Sequence, residues 1–475
     1  MNKQYLDKAW QEEMRIKLDV NNIFVNNVGE EHGISKEDVN QFSDKVKKAA
    51  QNIRNANLGF MELPYNQEQV IKEINEFVEG NKEKYDNFVV LGIGGSALGN
   101  IALQTALNDP YYNYKEEARN NYPRLFVPDN VDPARFKSLL SMLDLKKTIF
   151  NVISKSGGTA ETMSQYLIAR QLLAEEVGED NLKDHFIATT SKDSGFLIEI
   201  AKRENFKTFF IPENVGGRFS AFTPVGLVSA AFCGIDIEGL LAGAAYMDKI
   251  CQTENLWDNP AYLNAVLQYI AYENGKPLSV MMPYVHSLKD VADWYRQLWA
   301  ESLGKEVDRE GNVINVGPTP IKALGATDQH SQVQLYMEGP YDKVITFLEV
   351  EDYGVDIEIP KLYEDIQGVT YLGGHSLSEL IKTEKNATEL ALSKRGRLNE
   401  TIILPEVNEF TMGQLFYMLE LQTAMAGELF NIDAFNQPGV ELGKHYTYGV
   451  LGRDAYQEKK DEYNNRPDKD DSLII

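Results

Sequence analysis

Cysteine is scarce in this chain of 475 residues: only Cys233 and Cys251 occur. Two thiols supply neither a disulfide framework nor a metal-ligand or redox spacing. They read as packing residues of a reducing compartment, and a cytoplasmic protein is expected. Long apolar runs are missing too. No stretch of 18 or more apolar residues appears, so no membrane partner is expected. Met1 to Glu12 is polar and lacks the apolar centre of a signal peptide. Positive charge is in deficit, with 47 Lys and Arg against 71 Asp and Glu and a net charge of −24. A nonspecific nucleic-acid binder needs a basic surface, so that class is excluded. A small anionic ligand is not, because a pocket needs only a few fixed donors. The six histidines show no metal-ligand spacing, and no metal is expected.

What is present is an alternation of strands and helices. The length suggests two or three folding units. The first fifty residues read as charged and helical. Phe88 to Leu91 then looks like a buried strand, ending at Gly92-Ile93-Gly94-Gly95-Ser96 before a helix from Ala97 to Leu107. Strands are predicted at Arg124 to Val127, Thr148 to Ser154, Phe186 to Thr190 and Thr208 to Ile211, with a long helix from Thr159 to about Glu176. The same grammar restarts at Leu278 to Pro283, followed by a helix from Leu288 to Leu303 and strands at Lys343 to Glu349 and Thr401 to Pro405. Ala221 to Tyr272 reads as helical and holds the domain junction; Phe410 to Phe430 is helical again. The pattern predicts an α/β fold with parallel sheets covered on both faces.

Two strand-to-helix loops could hold an anion. Gly92 to Ala97 offers backbone N–H groups and a helix dipole, and loosely matches a dinucleotide fingerprint. The acidic residue that a nucleotide site requires on the next strand is not evident, and a merely tight turn remains open. Ser154-Lys155-Ser156-Gly157-Gly158-Thr159 is the stronger candidate: three hydroxyls, exposed amides and a helix N-terminus suit a phosphate monoester. Glu161 would repel that phosphate unless it turns away.

Other residues are ambiguous singly. Arg218, after Gly216-Gly217, can be a fixed positive charge facing an oxyanion or a solvated turn residue. Asp293, Gln297 and Glu301 are spaced four apart and line one helix face, with Trp294, Leu298 and Trp299 expected to pack inward. Gly304 should end that helix, placing Glu301 at the negative dipole end, which favours the protonated carboxyl a base must form. Lys305 could form a surface pair with Glu301. His330 and Lys444 read by default as surface residues; Gln437 and Lys444 would share one side if the chain after Pro438 is helical.

Taken together these stretches resemble the glucose-6-phosphate isomerase family, in its shorter bacterial form. Glu213-Asn214-Val215-Gly216-Gly217-Arg218-Phe219-Ser220 and Gly427-Glu428-Leu429-Phe430 through Lys444 look like family signatures. Gly92 to Ser96, Ser154 to Thr162, Glu301 to Lys305 and Asp328-Gln329-His330 follow in the family's order. The resemblance implies two sugar-isomerase domains, each a mainly parallel sheet between helices, with helical terminal segments. The expected boundaries are 1–50, 51–255, 256–408 and 409–475. It implies reversible aldose–ketose isomerisation of a sugar phosphate, in glycolysis and gluconeogenesis, without metal or nucleotide. Gly95, Ser96, Ser154, Lys155, Ser156, Thr159 and Gly217 would bind the substrate, with Gln297 and Gln437 as positioners. Glu301 would be the base, Arg218 the oxyanion clamp, and His330 and Lys444 the ring-opening pair. A homodimer is implied, with His330 reaching across from the partner subunit. A sugar-phosphate sensor or a nicotinamide-dependent dehydrogenase remains the alternative.

Overall fold

The computed structural model describes residues 3–475. Strand β1 (Lys17–Asp19) is short and finds its partner only near the far end of the chain. The next five strands build the first sheet: β2 (Asn87–Leu91), β3 (Arg124–Phe126), β4 (Thr148–Ile153), β5 (Phe186–Thr190) and β6 (Lys207–Phe210). Their order is β3-β2-β4-β5-β6, and every pair is parallel. β2 and β4 are buried along their whole length, which is why apolar residues dominate both, with Asn87, Thr148 and Asn151 as buried polar exceptions.

The second sheet takes up at β7 (Leu278–Pro283), one strand in from its edge. The hairpin of β8 (Lys305–Val307) and β9 (Val313–Val316) stands apart, and β10 (Thr319–Lys322), β11 (Lys343–Asp352) and β12 (Asn399–Glu406) complete the sheet with β1. Its order is β1-β12-β11-β7-β10, parallel except for β1, which lies antiparallel on β12. The expected architecture of two mainly parallel α/β units is therefore present.

Helices fill the space between the sheets. The Ala221 to Tyr272 stretch resolves into helices Pro224–Phe232, Ile237–Ile250 and Pro260–Glu273. Their side-chain caps are Thr223, Asp236 and Asn259, two of them followed by a proline at the first helical position. The Glu409–Leu429 helix, expected as part of a terminal segment, is buried on nearly all sides and packs against the Ile237–Ile250 and Pro260–Glu273 helices. It has no wide polar face to give to water, so it belongs in the core. The Lys289–Leu303 helix turns Trp294, Leu298 and Trp299 inward as expected, and Trp294 stacks on Phe416 with centroids 3.9 Å apart.

The first fifty residues are not wholly helical. β1 is three residues long, too short for a period-2 pattern to register, and exists because β12 offers it an edge. Strands β8, β9 and β10, of three, four and four residues, were not expected from the sequence either. Among the described residues no helix is long and apolar enough to cross a membrane.

Candidate active site

In an open parallel sheet, ligands bind beyond the carboxyl ends of the strands, where the strand order reverses. In the first sheet that point lies between β2 and β4. The loop after β2 is Gly92–Ser96 and the loop after β4 is Ser154–Thr159, so topology alone puts the two anion-binding candidates side by side. A cavity of about 640 Å³ opens there, lined by Ser96, Ser154, Lys155, Ser156, Thr159, Gly217 and Gln437 among others. Phe60, Phe219 and Phe435 form an apolar wall, with ring centroids 5.1 Å apart for Phe60–Phe219 and 5.2 Å for Phe219–Phe435.

The second loop is bound to itself. Ser154 Oγ lies 3.0 Å from Thr159 Oγ1 and accepts a 3.0 Å hydrogen bond from the Gly157 amide. Ser156 Oγ accepts from the Gly158 amide at 3.2 Å. Gly157 has φ +66°, and a Cβ there would stand 2.0 Å from the Leu197 amide nitrogen, so only glycine fits. The Ala160–Val177 helix begins just beyond, aiming its positive end at the hydroxyl cluster. Lys155 Nζ donates to the main-chain oxygens of Glu213 at 2.6 Å and Val215 at 3.2 Å, anchoring the opposite rim. Burial lowers its pKa, against the pull of Glu213. Glu161 does not line the cavity.

Gly95 and Gly217 join this cradle to the second half of the site. A Cβ on Gly95 would meet the Gly217 carbonyl carbon and oxygen at 2.2 Å. The turn Gly217–Phe219 that follows carries Arg218, which is 3% exposed. Its Nε donates to Ser302 Oγ at 2.7 Å, Nη1 to Gln437 Oε1 at 3.1 Å, and Nη2 to the oxygens of Ala434 at 2.5 Å and Asn436 at 3.2 Å. Four of the five guanidinium N–H donors are thus occupied, one each on Nε and Nη1 and two on Nη2. Glu301 Oε1 lies 3.6 Å from Nη1. Burial pushes the Arg218 pKa down, while Glu301 and Asp433 hold it up. Gln297 Nε2 donates to Glu301 Oε2 at 2.9 Å, one helical turn away. The third member of that stripe, Asp293, faces elsewhere and pairs with Lys322 and Arg296.

Several expectations need revision. Lys305 does not pair with the Glu301 carboxylate at the surface; it is 9% exposed, and its Nζ donates to the main-chain oxygens of Glu301 and Ser302, each at 2.8 Å. Gln437 and Lys444 do not share a helix face. Gln437 has φ −150°, ψ 60°, and a 3₁₀ turn at Pro438–Val440 separates it from the Glu441–Val450 helix. Lys444 is exposed and pairs with Glu441 at 2.8 Å. His330 is exposed at the end of the turn Thr327–His330. Among the described residues neither forms a hydrogen bond or ion pair with Glu301 or Arg218 of its own chain.

A third hydroxyl source went unread. The loop after β5 brings Ser191 and Ser194 to the cavity. Like the other two it lies between a strand and a helix, Phe196–Glu204, with Gly195 (φ +105°) packed on the Ser156 carbonyl. That recurrence was the available signal. The aromatic wall left none, since Phe60, Phe219 and Phe435 meet only in three dimensions. Among the described residues no group of three or more His, Cys, Asp or Glu could hold a metal.

Comparison with known proteins gives a consistent set of relatives. The sequence pattern of the family described as phosphoglucose isomerase matches residues 68–469. A glucose-6-phosphate isomerase of Carboxydothermus hydrogenoformans is 49% identical over 453 residues, 94% of this chain and 97% of its own length. Another, of Rubrobacter xylanophilus, is 41% identical over 428 residues, 90% of this chain and 96% of its own. Among solved structures, a hypothetical protein from Thermus thermophilus superposes with a TM-score of 0.83 at 36% identity, over 92% of this chain and 100% of that one. A glucose-6-phosphate isomerase from Chlamydia trachomatis gives a TM-score of 0.72 at 23% identity, covering 96% of this chain and 86% of its own, a likeness of fold.

Proposed function

The chain belongs to the phosphoglucose isomerase family and interconverts glucose 6-phosphate and fructose 6-phosphate, and from that premise we propose how its residues divide the work. The phosphate sits in the cradle of Ser154, Ser156 and Thr159, with Gly95 and Ser96 completing it. The hydroxyls and the positive end of the Ala160–Val177 helix supply donors without a metal. Lys155 adds charge and ties down the rim at Glu213 and Val215. Gly217 lets the sugar pass close to the backbone, and Gln437 stands where the cradle meets Arg218.

Anchored by its phosphate, the open-chain sugar presents C1 and C2 to Glu301. The carboxylate takes the C2 proton and returns it at C1, passing through a cis-enediolate while the hydroxyl proton on O2 moves to O1. Gln297 holds Glu301 in orientation. The fifth N–H of Arg218, on Nη1, faces the Glu301 side and meets the oxygen that becomes negative. This relation between a fixed cation and a carboxylate, at the edge of a hydroxyl-lined cavity, carries the reading.

His330 and Lys444 open the ring by moving a proton between the ring oxygen and the anomeric hydroxyl. Their exposure in a single chain supports a homodimer in which the partner subunit brings His330 to the site. The Lys444 helix rests on the cradle, with Tyr448 Oη donating to the Gly158 oxygen at 3.4 Å. A cytoplasmic enzyme fits two thiols that are both free and buried.

The test is conversion of glucose 6-phosphate by the purified protein with EDTA present. Glu301→Gln should keep KM within a few-fold while kcat falls by about two to four orders of magnitude. Wild-type turnover in that variant would reject the assignment.

A further inference from the structure

The sequence places Lys305 directly after Gly304, the residue that ends the Lys289–Leu303 helix, and at the start of β8. From there its side chain folds back along the helix end. The last four carbonyls of any helix lack intrahelical partners and carry the negative end of its dipole. Lys305 Nζ satisfies two of them, on Glu301 and Ser302, with bonds of 2.8 Å each.

Arg218 grips the same two residues from the other side. Its Nε holds the Ser302 hydroxyl, and its Nη1 faces the Glu301 carboxylate. Ser302 is fully buried, so the last turn of the helix is clamped between two cations, one on its main chain and one on its side chains. We infer that Lys305 is a positioning residue for the isomerisation: it fixes the main chain of Glu301 so that the carboxylate meets C1 and C2 opposite Arg218. The inference rests on Glu301 being the base.

The charged groups that bear on the Lys305 ammonium are Arg218 from the Gly217–Phe219 turn, Glu301 from the helix, and Asp433 from the loop beyond the Glu409–Leu429 helix. Burial, and then the Arg218 charge, bring its pKa down from 10.5 to about 8, with Asp433 and Glu301 opposing. The ammonium is therefore charged at pH 7 and loses its proton as pH rises through about 8. A neutral amine can still donate two hydrogen bonds, but charge-assisted bonds are about twice as strong. The clamp slackens across that range, whereas the hydroxyls and amides of the cradle carry no charge to lose; Lys155 at its rim, whose pKa burial also lowers, acts on phosphate binding and so on KM.

The experiment compares kcat and KM from pH 6 to 10 for the wild type, Lys305→Met and Lys305→Arg, with Glu301→Gln alongside. Wild-type kcat should decline above about pH 8, whatever Lys155 at the cradle does to KM. Lys305→Met should lower kcat at pH 7 by about 10- to 100-fold, the scale of a misplaced base, with KM within twofold and no decline near pH 8. Lys305→Arg should stay charged throughout and hold kcat level to pH 10. A decline that persists near pH 8 in Lys305→Arg overturns the inference, as does wild-type kcat in a folded Lys305→Met. If Lys305→Met does not fold, Lys305→Arg alone decides. Full activity in Glu301→Gln removes the premise itself; an inactive Glu301→Gln beside unchanged Lys305 variants removes only the role given to Lys305.

Discussion

Gly95 and Gly217 touch without room for a methyl group: a Cβ on Gly95 would stand 2.2 Å from the Gly217 carbonyl. This contact sets the register between the cradle on the first sheet and the arginine beside Glu301. Neither residue offers a side chain for chemistry. At Gly95 smallness is the function, whereas a Cβ on Gly217 would meet nothing nearer than the Gly95 Cα at 3.9 Å.

Gly95→Ala should therefore push the two loops apart and move Arg218 relative to the bound phosphate. A displacement near 1 Å costs about 10²-fold in rate, whereas overpacking typically costs about 1–3 kcal/mol in stability. The expected result is a folded enzyme with kcat/KM down by about two orders of magnitude. Steady-state kinetics beside a thermal melt would separate the two effects.

Arg218→Lys keeps the charge and loses the fork. One ammonium cannot reach Ser302, Gln437, Ala434 and Asn436 together and still face the substrate oxygen. Losing such a donor is worth about 10²–10³ in kcat. Turnover unchanged by this substitution would mean that the guanidinium is structural only.

Complementation tests the proposed sharing of the site between subunits. Glu301→Gln and His330→Ala each leave every site of a homodimer defective. In a mixed dimer one site carries both defects and the other neither, so coexpression in equal amounts should restore about a quarter of wild-type activity if symmetric subunits exchange His330. No recovery in a verified mixed dimer would place His330 within its own chain's site.

Glu400 supplies a pH dependence of stability. It is buried in the second sheet; its Oε1 accepts from Thr346 Oγ1 at 2.8 Å and Gln268 Nε2 at 3.0 Å, and its Oε2 has no partner. Burial raises its pKa from 4.5 to about 7, against the bonds from Thr346 and Gln268. Between those values the folded chain keeps a proton that the unfolded chain has released, so this group's contribution to stability falls as pH rises from 4.5 to 7. Glu400→Gln cannot ionise. Its stability relative to wild type should grow by roughly 3 kcal/mol between pH 4.5 and 8, measured by urea unfolding. A difference that stays flat with pH contradicts the account.

Much of the site was legible because its residues come in local patterns. A strand, a run of small and hydroxylated residues and a helix form one contiguous signal, and Ser154 to Thr159 could be read from it directly. The Gln297–Glu301 pair followed from helical spacing alone. Lys305 was misread because a lysine four residues after a glutamate suggests a surface ion pair, while the fold buries its amine against the helix end. β1 was missed because its three residues acquire their conformation from β12, a partner that local pattern does not reveal. His330 and Lys444 are a third kind of case: nothing in their surroundings within one chain distinguishes them from ordinary surface residues, and only the family signature singled them out.

The pairing of β1 with β12 has a consequence for the chain as it is made. Strands β2 to β6 come from one continuous stretch, Asn87 to Phe210, and can assemble as soon as that stretch leaves the ribosome. β1 emerges before any of them, yet its partners Thr401, Ile402 and Ile403 emerge among the last. Such distant pairing is slow to form, and domains tend to fold in order of synthesis. A ribosome halted ahead of Asn399 would carry a finished first sheet and an N-terminal strand still waiting for its edge.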